Sequence, residues 1–355
     1  MFTLFISNEA ENNRTLPYFL WLLLGRIHPV FSKRKRESLN EYITHYLQQI
    51  TTGARQTDQG HNYATSTVKS VRYALHQFII FQESVGRKYD FQDINMDFYY
   101  SYTSFLKGKG LSINSVGKCI RDLKVILHAA EIEGLNKNAG WREKKFKGTR
   151  VDVDSIYLTL DDLNRIMNVD LSELGSGYEK ARDIFMIGVW TAQRVSDYSN
   201  IDKTAFNTLI RDNDKQEITY LNIRQKKTGV KVAIPCNTAM KAILKKYDYQ
   251  LPHLSDKVIN RDIKVIARIA GLTESIEIET TKGGVPQKER IPKWRLVHSH
   301  TARRTGATLM YLAGVDLYDI MKITGHTTPA MLKKYIKADS LEIVEKLTEK
   351  YDYFR

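Results

Sequence analysis

Helical periodicity governs the first part of the chain and then stops, and this break most limits the folds open to it. Ser38-Leu-Asn-Glu41 has the form of a capping box and predicts a helix to about residue 49. From Thr65 onward, Val68, Val71, Ala74, Leu75, Phe78 and Ile79 recur at three- and four-residue spacing, with Lys69, Arg72 and His76 outside the apolar stripe. Further helices are expected over 96–106 and 113–130, the latter carrying Val116, Ile120, Leu123, Ile126 and Leu127. Together these segments predict a small all-helical domain over 38–140. Between Trp141 and Ser155 the pattern is lost. Lys144, Lys145, Lys147 and Arg150 sit there with Gly148, so 141–155 reads as an exposed basic linker.

A second, mixed domain is expected over 156–355. Thr159-Leu-Asp-Asp162 caps its first helix. Strand-like alternation over 217–223 and 230–234 flanks Gln225-Lys-Lys-Thr-Gly229 and predicts a β-hairpin. A second hairpin is expected over 276–291 around Gly283-Gly284, and from His300 the chain reads as mostly helical. The fold class is therefore mainly α with a small β component. At 355 residues the chain has room for two separate cores.

Residues 1–37 form an extension whose role the sequence leaves open. It ends in Lys33-Arg-Lys-Arg36 and contains the apolar run Tyr18-Phe-Leu-Trp-Leu-Leu-Leu24. That run is far short of the roughly 20 residues that span a bilayer, and it lacks the basic n-region of a signal peptide. It reads as a buried helix or strand, without membrane association. Basic residues outnumber acidic ones 54 to 40, a net charge of +14, which suggests a polyanionic partner: DNA, RNA or an acidic membrane surface. Cys119 and Cys236 lack metal-type spacing and argue against a disulfide framework, which points to a reducing, cytoplasmic setting.

Several short motifs can carry chemistry, each weak by itself. Val189-Trp-Thr191-Ala-Gln-Arg194-Val-Ser196-Asp197 follows an apolar helix that delivers Arg194 and Asp197 at its end. Asp197 can simply be the ionic partner of Arg194. Lys227 lies at the hairpin turn, where lysines are ordinarily just solvated. His300 and Arg303 are three apart and share a helix face, so imidazole and guanidinium can hold one anion. Gly325 can end a helix before His326, and Pro329 can open the next, a corner that lets His326 and Tyr335 converge. With 20 tyrosines in the chain, Tyr335 by itself signals nothing.

Taken in order, Arg194, Lys227, His300-x-x-Arg303, Gly325-His326 and Tyr335 resemble the motif series of the tyrosine recombinase (phage-integrase) family. The resemblance runs from about Ser38 to the end. The Lys-Lys-Thr-Gly hairpin, His-Thr-Ala-Arg-Arg-Thr and Ile-Met-Lys-Ile-Thr-Gly-His are similar to phrasing in the conjugative-transposon branch. The resemblance implies a SAM-like core-DNA-binding domain and a catalytic domain that close as a clamp on duplex DNA, and a site-specific recombinase of a mobile genetic element. Tyr335 would be the nucleophile that forms a 3′-phosphotyrosyl link. Arg194 and Arg303 would grip the nonbridging phosphate oxygens. Lys227 would protonate the leaving 5′ oxygen, His300 would act as acid or base near the tyrosine hydroxyl, and His326 would hydrogen-bond the phosphate. Asp197 would orient Arg194 or a histidine.

On the same resemblance no metal, nucleotide or other cofactor is required. Lys69, Arg72, Lys144, Lys145, Lys147 and Arg150 are the candidate DNA contacts. Relatives assemble as tetramers on paired sites by exchanging a C-terminal segment, for which 340–351, with Leu341, Ile343, Val344 and Leu347, is a suitable amphipathic helix; packing on its own domain is the alternative. A monomer free in solution, DNA-bending or directionality accessory proteins, and a nucleoid-associated location follow on the same ground. Two departures stand out: Ala192 where the pattern has glycine, and Gly306 where it has an aromatic, both expected to loosen the site. A type IB topoisomerase and a DNA-binding regulator without catalysis are the competing readings.

Overall fold

The computed structural model describes residues 37–350. The apolar run at 18–24, the basic cluster at 33–36, all but the last residue of the expected extension over 1–37, and residue 351 of the expected helix over 340–351 lie outside the described residues. No helix among the described residues is long and apolar enough to cross a membrane.

Among the described residues, four α-helices make the first domain: α1 (Leu39–Thr52), α2 (Thr65–Ser84), α3 (Met96–Gly108) and α4 (Ile113–Ile132). The Ser38 hydroxyl and the Glu41 carboxylate close the expected capping box on α1, satisfying backbone donors that the first turn leaves free. The stripe of α2 is buried at Val68, Val71, Ala74, Leu75 and Phe78, whereas Ile79 is exposed and Gln77 takes an inward place instead. Phe78, Phe81, Phe98 and Tyr102 meet at the centre of this domain, mostly edge-on, with ring centroids 5.2–6.0 Å apart.

The expected linker is divided. Its first part belongs to the helical domain: Trp141 and Phe146 are buried in that core. Lys124 Nζ donates to Phe146 O at 2.7 Å, and Asn114 clasps Val151 through two hydrogen bonds of 2.9 and 3.0 Å. Where the segment crosses α4 the backbones touch: a Cβ on Gly117 would lie 1.9 Å from Thr149 O, and one on Gly148 2.1 Å from Gly117 O. Chain packing divides after Val151, and the turn of the later hairpin, Thr281–Val285, groups with the first unit. The two aromatic anchors lack helical spacing, which hides them in the sequence.

The second domain contains α5 (Leu160–Asn168), α6 (Ser176–Thr191), α7 (Val195–Tyr198), a three-stranded sheet of β1 (Phe206–Ile210), β2 (Glu217–Arg224) and β3 (Lys231–Pro235), then α8 (Thr238–Lys246) and α9 (Asp256–Ile269). The hairpin β4 (Ser275–Lys282) and β5 (Val285–Pro292) follows, and then α10 (Lys293–Leu296), α11 (Ser299–Leu312), α12 (Leu317–Thr324), α13 (Pro329–Lys333) and α14 (Ser340–Lys350). The sheet is antiparallel in the order β1-β2-β3, with Phe206 opposite Leu221 and Leu221 opposite Ile234. Strand β1 has no inward alternation, since Asn207–Ile210 is exposed throughout, and so it escapes a pattern-based reading.

Helix α6 is the spine of this domain. Ile184, Phe185, Met186, Ile187 and Val189 are all buried, together with Ile259, Ile263 and Ile266 of α9. Helix α11 also packs on α6, and Gly306 makes that approach possible. A Cβ at Gly306 would lie 2.1 Å from Val189 O and 3.0 Å from Ala192 Cβ. The two departures from the recombinase pattern therefore meet, with the Ala192 methyl occupying space beside the glycine. Rather than loosening the site, Gly306 lets the helices close on it. Gly306→Ala is expected to destabilise the protein by about 2–3 kcal/mol through overpacking against a backbone carbonyl that has little room to move. An unchanged midpoint in chemical denaturation would contradict this.

Candidate active site

Helix α6 ends at Ala192, whose backbone is left-handed with φ 50°. The chain turns there and places Arg194 at the cap of α7. Arg194 Nη1 donates to Gln225 Oε1 at 3.2 Å. Buried Asp197, expected to orient Arg194 or a histidine, directs its Oδ1 to the backbone N–H of Lys226 at 2.9 Å. It thereby holds the β2–β3 turn, while its Oδ2 is buried without a hydrogen-bond partner. Lys227 is exposed at the tip of that turn, close enough that its charge depresses the basicity of His300.

Helix α11 carries His300 and Arg303 on one face, as their spacing requires. Arg303 is completely buried, yet no carboxylate among the described residues pairs with it. Its donors go to Ala192 O at 2.9 Å, to Thr324 O at 2.8 Å and to His326 Nε2 at 3.0 Å, and its Nε has no partner. Burial, reinforced by Arg194, pulls its pKa down to about 10, with Tyr335 and Asp197 opposing. Arg304, one residue on, is half-buried with only the Tyr335 phenol acting against the burial.

Gly325, left-handed at φ 69°, ends α12, and Pro329 opens α13 behind the Thr328 cap. This corner brings the expected pair together. The Tyr335 ring centroid is 4.7 Å from that of His326 and 5.9 Å from that of His300, and Arg303 Cζ lies 5.2 Å over the ring. A guanidinium can only donate, so His326 Nε2 accepts and the ring proton sits on Nδ1. Nδ1 is 2.8 Å from Thr324 Oγ1, whose own hydrogen goes to Ile320 O at 2.6 Å.

Burial, then Arg303 and Arg194, pushes His326 down to about 3 from an ordinary 6.5. His298, capping α11, is held at about 4 by burial and then by Arg304, His300 and Lys264. His300 is lowered by burial first, then by Arg304, Arg303, Arg194 and Lys227. The native chain thus resists protonation that the unfolded chain accepts. Stability from these histidines is complete above pH 6.5 and is lost as pH falls from there toward about 4 and about 3. Melting temperatures should drop on acidification below pH 6.5, and less steeply in His326→Asn. Equal slopes for the two proteins would refute the assignment to His326.

Arg194, Arg303, His300, His326 and Tyr335 are therefore drawn into one cluster, with Lys227 at its edge. The expected DNA contacts Lys69 and Arg72 lie exposed on α2, and Lys144, Lys145, Lys147 and Arg150 lie exposed on the segment that follows α4. Sequence reasoning missed Gln193, Gln225, Thr324 and Arg304. The parity of β2 is the available signal for Gln225, since inward positions at Leu221 and Ile223 continue to an amide at 225, also buried.

Residues 157–342 match the phage integrase family, and residues 38–147 match the phage integrase SAM-like domain. No curated protein matches the chain. Among solved structures, a lambda integrase tetramer bound to a Holliday junction is similar at 18% identity, covering 91% of this chain and 85% of its own, with a TM-score of 0.61. XerH site-specific recombinase, in a post-cleavage complex with its palindromic difH substrate, is 15% identical over 89% of this chain and 96% of its own, with a TM-score of 0.61. The Tn1549 transposon integrase in complex with a circular-intermediate DNA is 13% identical over 86% and 99%, with a TM-score of 0.58. At these identities the likeness is one of fold.

Proposed function

This chain belongs to the phage integrase family, the tyrosine recombinases, and from that membership we propose that it cuts and rejoins duplex DNA at specific sites of a mobile genetic element, with Tyr335 as nucleophile. The observation that carries the reading is the position of the Tyr335 ring under the Arg303 guanidinium and between His300 and His326, two histidines whose basicity burial and the nearby arginines lower.

In the proposed reaction the Tyr335 oxygen attacks a backbone phosphorus. The Tyr335 O–P bond forms as the P–O5′ bond breaks. His300 takes the phenol proton, and the Lys227 ammonium supplies one to the departing 5′ oxygen. Arg194 and Arg303 stabilise the charge that develops on the nonbridging oxygens. A phosphate that draws Arg303 away frees His326 Nε2, and transfer of the ring proton from Nδ1 to Nε2 makes His326 a donor to that phosphate. The second step reverses the first with a 5′-hydroxyl of another strand, so the phosphodiester energy is kept in the tyrosyl link.

Double-stranded DNA is the proposed partner, held by the exposed basic residues on α2 and after α4, and a tetramer on paired sites is the proposed assembly. Support for exchange between copies comes from α14. It touches its own domain through Tyr157 to Glu342 and Lys346 over the Tyr311 ring, yet Leu341 and Val344 stay uncovered.

The reading is tested by offering the protein nicked suicide duplexes with randomised cores and sequencing the covalent adducts. A denaturant-resistant adduct at a 3′ phosphate, with a free 5′-hydroxyl on the other fragment, is expected from a restricted set of cores. Failure to form an adduct on any core would count against the reading. Efficient relaxation of supercoiled plasmid without core preference would favour a type IB topoisomerase.

A further inference from the structure

Gln225 ties the Arg194 side chain to the Lys227 turn and to the end of α12. It sits where β2 enters its turn, almost wholly buried, and all its polar capacity is spent. Its Nε2 donates to Gln193 Oε1 at 2.6 Å and to Thr324 O at 2.8 Å. Its Oε1 accepts from Arg194 Nη1 at 3.2 Å and from Thr228 Oγ1 at 2.6 Å. Thr324 O is the same carbonyl that receives Arg303. One amide thus touches Arg194, the acceptor shared with Arg303, and the residue after Lys227.

The surroundings prevent that amide from moving. Gly325 packs so closely that a Cβ there would be 2.5 Å from the Gln225 amide. Gln193, also buried, donates from its own Nε2 to Ile323 O at 2.7 Å and to Thr191 O at 2.9 Å, tying the α6 end to the α12 end. The backbone of the turn is closed by Gln225 N to Val230 O and Gly229 N to Gln225 O, both at 2.8 Å. Asp197 holds the next amide, Lys226 N–H, at 2.9 Å. Between the Asp197 anchor at 226 and the Gln225 anchor at 228, Lys227 is left with a fixed backbone and a free side chain.

We propose that Gln225 is a positioning residue that aims the Lys227 turn at the departing oxygen, using the Thr324–Gly325 corner as its fixed reference. The inference rests on the recombinase reading and deepens it. A flexible lysine on an unanchored turn would spend part of its time pointing away. An anchored turn raises the fraction of time its ammonium is within reach as the P–O5′ bond breaks.

The role is separable from general damage by changing the leaving group. With a bridging sulfur in place of the 5′ oxygen, the P–S bond breaks to a thiolate, which departs without needing a proton. A defect in proton delivery is then repaired, and a defect in phosphate grip or folding is not. Gln225→Leu keeps the volume and removes the four hydrogen bonds. Thr228→Val, at an exposed residue, removes only the tie to the turn and leaves the core intact.

The expected result is a fall in single-turnover cleavage of roughly 10²-fold for Gln225→Leu and about 10-fold for Thr228→Val; on the sulfur substrate Thr228→Val recovers almost completely, and Gln225→Leu recovers only the part not owed to its lost tie to Arg194. Lys227→Ala, run beside them, should be repaired in the same way. Repair of Lys227→Ala without repair of the other two overturns the inference while the recombinase reading stands. Failure to repair Lys227→Ala removes the lysine's proton role and the inference with it. Absence of any adduct from the unaltered protein on either substrate defeats the recombinase reading itself. If Gln225→Leu does not fold, Thr228→Val decides.

Discussion

Tyr335→Phe is expected to abolish the covalent protein–DNA adduct, a loss of roughly 10⁴-fold or more in cleavage, while leaving DNA affinity and melting temperature close to those of the unaltered chain. The aromatic ring contributes the packing at this position: it contacts His326 and His300 and lies under Arg303. Phenylalanine preserves all three contacts and removes only the oxygen. The residue is also anchored through its backbone, with its N–H on Leu332 O at 2.7 Å and its carbonyl accepting from Thr308 Oγ1 at 3.4 Å. A suicide-substrate assay with a parallel binding measurement separates the two effects. Adduct formed by Tyr335→Phe would mean that another of the 20 tyrosines, or another nucleophile, does the chemistry.

Arg303→Met should lower cleavage about 10²–10³-fold, the scale of losing one pre-organised donor to a developing oxyanion, and should change unfolding free energy by no more than about 1–2 kcal/mol. The second half is the less intuitive. Arg303 is fully buried with two carbonyls and a neutral imidazole for company, and its pKa is dragged down to about 10, so the folded chain bears a desolvated charge without an anion. Methionine of similar length lifts that burden. Against it stand the Ala192 and Thr324 carbonyls, which lose donors worth about 1 kcal/mol each, although Gln225 still serves Thr324 O. Unfolding by denaturant and single-turnover cleavage on the same samples give both numbers. A loss of several kcal/mol in stability would show Arg303 to be a structural ion rather than a group held ready for phosphate.

Much of the site could be read from the chain because its members lie next to conformational punctuation. Gly325 and Pro329 announce a corner, and a corner is the only way two residues at the spacing of His326 and Tyr335 can meet. His300 and Arg303 follow from helical geometry alone. The order of motifs then supplies a family, which the matches over 38–147 and 157–342 establish. What stayed hidden depends on distances between elements that no local pattern encodes. Gln225 and Thr324 are 99 positions apart and exchange a hydrogen bond. Asp197 serves a backbone amide 29 residues away rather than the arginine beside it, because a turn packed above it offers an N–H in line. The meaning of Gly306 likewise required seeing Val189 O on the neighbouring helix. The basic segment was legible as charge, while the burial of Trp141 and Phe146 that secures it was not.

The bare crossing of Gly117 against Thr149, and of Gly148 against Gly117, has a thermodynamic consequence for whatever polyanion meets this surface. Lys144, Lys145, Lys147 and Arg150 are carried on a backbone already immobilised by that contact and by Trp141, Phe146 and Asn114. A loose tail with the same charges would surrender about 1–2 kcal/mol of backbone entropy for each residue it ordered on docking. Here that ordering was completed when the domain folded, so an anion that meets these residues has only their side chains left to order.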